Sequence, residues 1–213
     1  MNHEQVKFYS RSEERLNILT HGTGLLLSVV AEVLLILRAC EIGGAPYVVS
    51  FSIFGASLIL LYGASTAYHS SKNPHVRARL NIVDHAMIYI LIAGTYTPFT
   101  MVTLNGWIGW TIFGIVWGLA AFGFIFKLFY TGRFDKLSTV AYVLMGWIII
   151  FAIVPLVRAL PTEGVYWLFA GGIFYTVGAV LYSLQKLPYN HATFHVFVLL
   201  GSFAHFIAVY FYV

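Results

Sequence analysis

Residues 107–128 read WIGWTIFGIVWGLAAFGFIFKL, and their one charge, Lys127, falls at the end of the run. A helix needs about 20 predominantly apolar residues to cross the hydrocarbon core of a bilayer, so this stretch predicts a membrane span. Six more stretches of the same kind lie around it, over 17–38, 46–69, 80–102, 137–158, 164–184 and 190–212. They are continuous apolar runs, whereas a membrane β-barrel would show alternation over segments of about ten residues. The expected fold class is therefore all-α, a seven-transmembrane helical bundle. It forms a single membrane domain over 1–213, with a short polar N-terminal segment, 1–16.

The composition agrees. Of 213 residues, 60% are hydrophobic and 9% charged, against roughly 25% charged in an ordinary soluble domain. So few charges cannot cover a water-soluble globule, and such apolar content excludes a disordered chain. The single cysteine, Cys40, excludes an intramolecular disulfide and a Cys-rich zinc module. Connections are short and carry the helix breakers, among them Gly43-Gly44-Ala45-Pro46, Lys72-Asn73-Pro74, Asn105-Gly106 and Leu187-Pro188-Tyr189-Asn190. None is long enough for an extramembrane domain. The first span is too long for a signal peptide, lacks a small-residue cleavage site and is expected to stay as helix one. Pro98 and Pro155 are expected to kink helices three and five.

The net charge of +4 does not indicate nucleic acid, because the basic residues lie singly between apolar runs. They report orientation instead. Ten Lys and Arg fall in the N-terminal segment and alternate loops, and two, Arg38 and Arg158, on the opposite side. The positive-inside rule then places the N-terminus in the cytoplasm and the C-terminus outside a cell membrane.

Ionisable groups within membrane helices are costly, which makes them functional candidates. His21, His69, Asp84, His85, His191 and His195 come from four predicted helices and all fall near the cytoplasmic ends. His191 and His195 are four apart and share one helix face, so both rings can reach one metal ion. His69 would supply a third nitrogen, with Ser65 one turn away on its face. Three histidines leave a coordination position for water, and Asp84 could act as general base toward it. Taken singly, each histidine reads equally as an interfacial residue bonded to water or loop carbonyls, and Asp84 as a cap or a partner of Arg77 or Arg79. Shared residue type, depth and side favour the metal. His21 and His85 are expected to support the site or the structure around it, since His85 points about 100° away from Asp84. His205 lies about 15 Å deeper and reads as a packed histidine bonded to a neighbouring helix, or as a cavity lining. Glu32 is expected to reach water at the outer surface, and His3 and His75 to be solvated.

These pieces resemble the hemolysin III branch of the progestin and adiponectin receptor (PAQR) family. The resemblance rests on Glu14-Arg15-Leu16-Asn17 with His21, Ser65 to His69, Asp84-His85 running into Gly94-Thr95-Tyr96-Thr97-Pro98-Phe99, and His191 to His195 followed by Gly201-Ser202-Phe203-Ala204-His205-Phe206. It implies a zinc ion held by His69, His191 and His195, with Asp84 beside the water and Ser65 as a supporting partner. It also implies lipid amidase chemistry, since the family and its distant relatives, the alkaline ceramidases, look like zinc-dependent lipid hydrolases. The expected function is hydrolysis of an amide or ester bond in a membrane lipid. Two alternatives stay open: a receptor or membrane-homeostasis factor with structural zinc, and a pore-forming haemolysin.

Overall fold

Helix α1 (Arg11–Ile42) starts where the Ser10 hydroxyl accepts a hydrogen bond from the Glu13 backbone N–H at 3.2 Å, in a computed structural model that describes residues 7–184 and 186–213. It ends at Gly43 and Gly44, whose φ angles of 85° and 99° lie in the left-handed region. A side chain there would be strained, so this glycine pair allows a two-residue reversal into α2 (Ala45–Ser70). The next reversal is capped by Asn73, whose side chain accepts from the N–H groups of His75 (2.9 Å) and Val76 (3.3 Å), with Pro74 in the first turn. Then follow α3 (Pro74–Pro98), α4 (Gly106–Tyr130), α5 (Asp135–Gly146), α6 (Ile153–Ala159), α7 (Thr162–Ser183) and α8 (Asn190–Tyr212). No strand occurs among the described residues.

Six stretches are long and apolar enough to cross a membrane: α2, α3 with its last turn, α4, α5 through α6, α7 and α8. Large apolar side chains such as Trp107, Phe122 and Phe151 point outward and are at least 70% exposed. That is the surface of a protein whose solvent is hydrocarbon.

Two of these rods are irregular, at the prolines that predict it. Past Pro98, α3 continues as a π-helical turn, Phe99–Thr103. Ahead of Pro155 a 3-10 segment, Ile148–Ala152, separates α5 from α6. Proline has no N–H and its ring crowds the carbonyl four residues back, here Phe151, inside that segment. Tyr96 of α3 repairs the break: its hydroxyl donates to Gly146 O (2.8 Å) and accepts from the Ile149 N–H (2.9 Å).

α1 lies between α2 and α8, so the first and last helices are neighbours; α2 packs on α3, α3 on α4, and α7 on α8. The approach at this seam depends on Gly24, where a Cβ would come within 2.6 Å of the Tyr62 ring and 2.8 Å of Leu199. α5 packs on α7 and α3, and its first residue, Asp135, pairs with Lys127 of α4 at 3.4 Å. The space it leaves is a cavity of about 140 Å³ between α3, α5, α7 and α8, reaching α1 at His21.

Candidate metal centre

His69 occupies the last turn of α2, and His191 and His195 the first two turns of α8. All three are buried, and each offers a ring nitrogen within 4.8 Å of the others. The Nε2 atoms of His69 and His191 stand 3.1 Å apart. Two lone pairs aimed at each other repel, so the arrangement calls for a proton or a cation between them. Among the described residues this trio is the group of His, Cys, Asp or Glu gathered tightly enough to hold a metal ion.

The remaining ring nitrogens show how the trio is oriented. His69 Nδ1 is 2.8 Å from Glu14 Oε2, so it carries a proton that it donates to the carboxylate, leaving the Nε2 lone pair free. The Thr20 hydroxyl spends its proton on Leu16 O (2.8 Å), so at 3.3 Å its oxygen accepts from His195 Nδ1–H. A metal-binding histidine commonly donates its second N–H to a carboxylate or other oxygen, which fixes tautomer and ring orientation. His191 Nδ1 is buried without a hydrogen-bond partner among the described residues. Donor type, burial and tautomer together fit a borderline divalent cation such as zinc.

Glu14 also ion-pairs with Arg77, whose side chain is buried. Arg77 in turn donates to the carbonyls of Tyr68 (3.1 Å), His69 (3.3 Å) and Ser71 (3.2 Å), closing the C-terminus of α2. The alternative pairing of Asp84 with Arg77 or Arg79 is not formed; Glu14 takes Arg77. Sequence reading missed the part Glu14 plays, although Glu14, Asn17 and His21 sit at i, i+3 and i+7 on one face of α1. Residues 7–10 lie over the trio as well. The Tyr9 ring stacks on His191 with centroids 4.7 Å apart, Phe8 lies under the Arg77 guanidinium at 4.5 Å, and Lys7 O accepts from Arg77 Nε at 3.2 Å. Burial, with Tyr182, Tyr68 and Glu13 beside it, raises the Tyr9 phenol above its ordinary range.

Asp84 is buried one helix away, facing His85, His69 and Ser65, and is not part of the tight trio. The Ser65 hydroxyl stands against the Asp84 carboxylate. Asp84, His85, His21, His191 and His195 all line the cavity. His85 therefore shares that space with Asp84 despite the 100° between them; its Nδ1 donates to Asn81 O at 2.9 Å. His21 stacks on His195 with centroids 3.4 Å apart, and neither of its nitrogens has a hydrogen-bond partner among the described residues.

Three expectations need correction or bounding. His205 bonds to its own helix, through Gly201 O at 2.8 Å, rather than to a neighbouring one. Glu32 does not reach outer water freely: its carboxylate packs against Gly55 of α2, and Oε2 is buried without a hydrogen-bond partner among the described residues. Small glycine leaves the room that the carboxylate fills. His75 is exposed as expected, whereas His3 lies outside the described residues.

The family described as Haemolysin-III related matches residues 9–206. The chain belongs to the hemolysin III family. It is 50% identical over 201 residues to Hemolysin-3 of Bacillus cereus, covering 94% of this chain and 92% of that one. It is 48% identical over 204 residues to the Hemolysin-3 homolog of Bacillus subtilis (strain 168), covering 96% of each. A human relative, Monocyte to macrophage differentiation factor, is 28% identical over 167 residues, 75% of this chain and 68% of that protein. It ties the hemolysin III family to the wider progestin and adiponectin receptor family.

Proposed function

We propose that this hemolysin III protein is a zinc-dependent hydrolase acting on an amide or ester bond of a membrane lipid. One observation carries the reading: three buried imidazoles converge, and two of them, His191 and His195, line an apolar cavity that Asp84 also lines without joining the trio. Three protein ligands suit a catalytic zinc, whereas structural zinc generally has four. When bound, zinc supplies Lewis-acid polarisation of a carbonyl and acidifies water towards a pKa of about 7. Asp84 is the group that would take a proton from that water and return it to the leaving amine or alkoxide. His69, His191 and His195 hold the ion, with Glu14 and Thr20 keeping two of their rings in the ligating tautomer. Ser65, His21 and His85 bound the space around Asp84. The substrate is a lipid whose chain enters the cavity from the bilayer.

The same reading makes α1 a seventh span. Leu26, Leu27, Val29, Val30, Val33 and Leu37 are exposed along it, and only lipid would cover them. With seven spans, the ten-to-two bias of Lys and Arg puts the N-terminus and the metal site on the cytoplasmic side of the cell membrane.

A second reading, a receptor or homeostasis factor with structural zinc, is favoured by the way the trio joins α2 to α8, on either side of α1. The test is metal analysis and lipid turnover on purified protein. Under the hydrolase reading, Asp84→Asn keeps its zinc and loses fatty-acid release from acyl and N-acyl lipids, while His191→Ala loses both. Zinc retained without turnover on a broad lipid panel favours the structural role. Relatives bear the name Hemolysin-3, and dye leakage from liposomes tests whether this chain forms a pore.

A further inference from the structure

The cavity that begins at the histidine trio does not end in a uniformly apolar wall. His205, on the same helix as His195 and about 15 Å further along it at ~1.5 Å per residue, lines its far part. Its ring is held on three sides. Nδ1 donates to Gly201 O at 2.8 Å, Tyr175 stacks on it with centroids 5.3 Å apart and 19° between planes, and the bare backbone of Gly171 presses on it where any Cβ would collide. Because Nδ1 carries the proton, Nε2 presents a lone pair. That atom has no hydrogen-bond partner among the described residues.

The other polar groups at this depth are already committed. Thr95 donates to Leu91 O (2.8 Å), and Thr176 donates to Gly172 O (2.7 Å) while accepting from Trp147 Nε1 (2.9 Å). Tyr96 bridges Gly146 and Ile149, and Tyr175 is paired with Ser202 at 2.9 Å. His205 Nε2 is thus a fixed acceptor in search of a donor. A second, smaller cavity of about 40 Å³ continues past this point and shares His205, Thr95, Tyr96 and Trp147 with the first. A chain lying in the larger space would pass His205 and leave its tail beyond, so the group facing the imidazole sits part-way along that chain.

The geometry points to a second polar subsite: the cavity takes a lipid chain bearing a hydroxyl part-way along its length, and His205 Nε2 accepts the hydrogen bond of that hydroxyl. The subsite rests on the reading of the cavity as the lipid's seat, and it does not require hydrolysis. A buried neutral hydrogen bond of ordinary net worth corresponds to roughly three- to tenfold in affinity.

The test is equilibrium binding to the purified, metal-loaded protein in nanodiscs, with three fatty acids that share one chain: oleic acid, ricinoleic acid with its mid-chain hydroxyl, and the O-methyl ether of ricinoleic acid, which keeps the oxygen and lacks the donor. Wild type is expected to bind ricinoleic acid about three- to tenfold tighter than oleic acid, and the ether no better than oleic acid. His205→Phe should lose that preference while keeping its zinc and its affinity for oleic acid. The ligand series stands on wild type alone if the variant fails to fold. Equal affinity for ricinoleic and oleic acids overturns the subsite but leaves the lipid cavity standing, as does a preference that survives His205→Phe. Binding of none of the three overturns the lipid cavity together with the subsite, whatever the outcome of the turnover assay.

Discussion

Replacing Glu14 with glutamine tests the orientation of the metal centre without touching a ligand. The carboxylate accepts from His69 Nδ1 at 2.8 Å on one oxygen and ion-pairs with Arg77 on the other, with the Glu14 side chain 15% exposed. Glutamine keeps the shape and loses the charge. Two costs follow. Removing a carboxylate partner behind a metal-bound histidine typically weakens binding about 10- to 100-fold, equivalent to about 1.4–2.7 kcal/mol. Breaking a buried ion pair costs about 3–5 kcal/mol when the remaining charge is orphaned, but Arg77 retains the carbonyls of Tyr68 and His69 on α2 and of Ser71 just past it. The loss of apo-protein stability should therefore fall below that range, at about 1–3 kcal/mol. Competition with a zinc chelator reads the first quantity, and thermal unfolding of the metal-free protein reads the second. Asp84→Asn, which lies outside the tight trio, serves as the reference and should keep its zinc. Unchanged zinc affinity in Glu14→Gln, alongside loss of zinc in His69→Ala, would refute the claim that Glu14 sets the ligating tautomer of His69.

Two further outcomes follow from the same geometry. Protons compete for the lone pairs that three imidazoles offer a metal, so zinc affinity should fall as the solution is made more acid. Chelator competition across pH measures this, and a flat profile would mean that the trio is not the ligand set. Tyr96→Phe removes the hydroxyl that serves both Gly146 O and Ile149 N–H. Two buried backbone groups are then unpaired, at a cost of about 2–4 kcal/mol in thermal unfolding, with zinc content unaltered; an unchanged melting temperature would mean that the 3-10 segment closes its own hydrogen bonds.

The helical class, the apolar stretches and the sites of irregularity were legible in residue order, because they depend on local properties. Hydropathy over about 20 residues decides whether a segment can cross hydrocarbon, and a missing N–H at Pro98 or Pro155 disturbs its own helix whatever lies beside it. The HxxxH spacing of His191 and His195 is local in the same sense. That His69 joins them, 122 residues away, could be argued only from depth and residue type.

What tertiary structure alone decided are the contacts that no spacing encodes. The packing of α1 between α2 and α8, permitted by Gly24, brings Glu14 and Thr20 against histidines from the second and the last helix, and lays residues 7–10 across them. Glu14 lies in the first turn of α1 and Asp84 about three turns into α3; only packing distinguishes the acid that orients a ring from the one that lines a cavity. His205 had two readings in the sequence: the bond to Gly201 O of its own helix leaves Nε2 without a partner, while Gly171 and Tyr175 of α7 fix where the ring sits. Residue order determines which chemical groups reach a given depth of the bundle, whereas lone-pair direction and the company each group keeps arise from side chains that meet only after the helices pack.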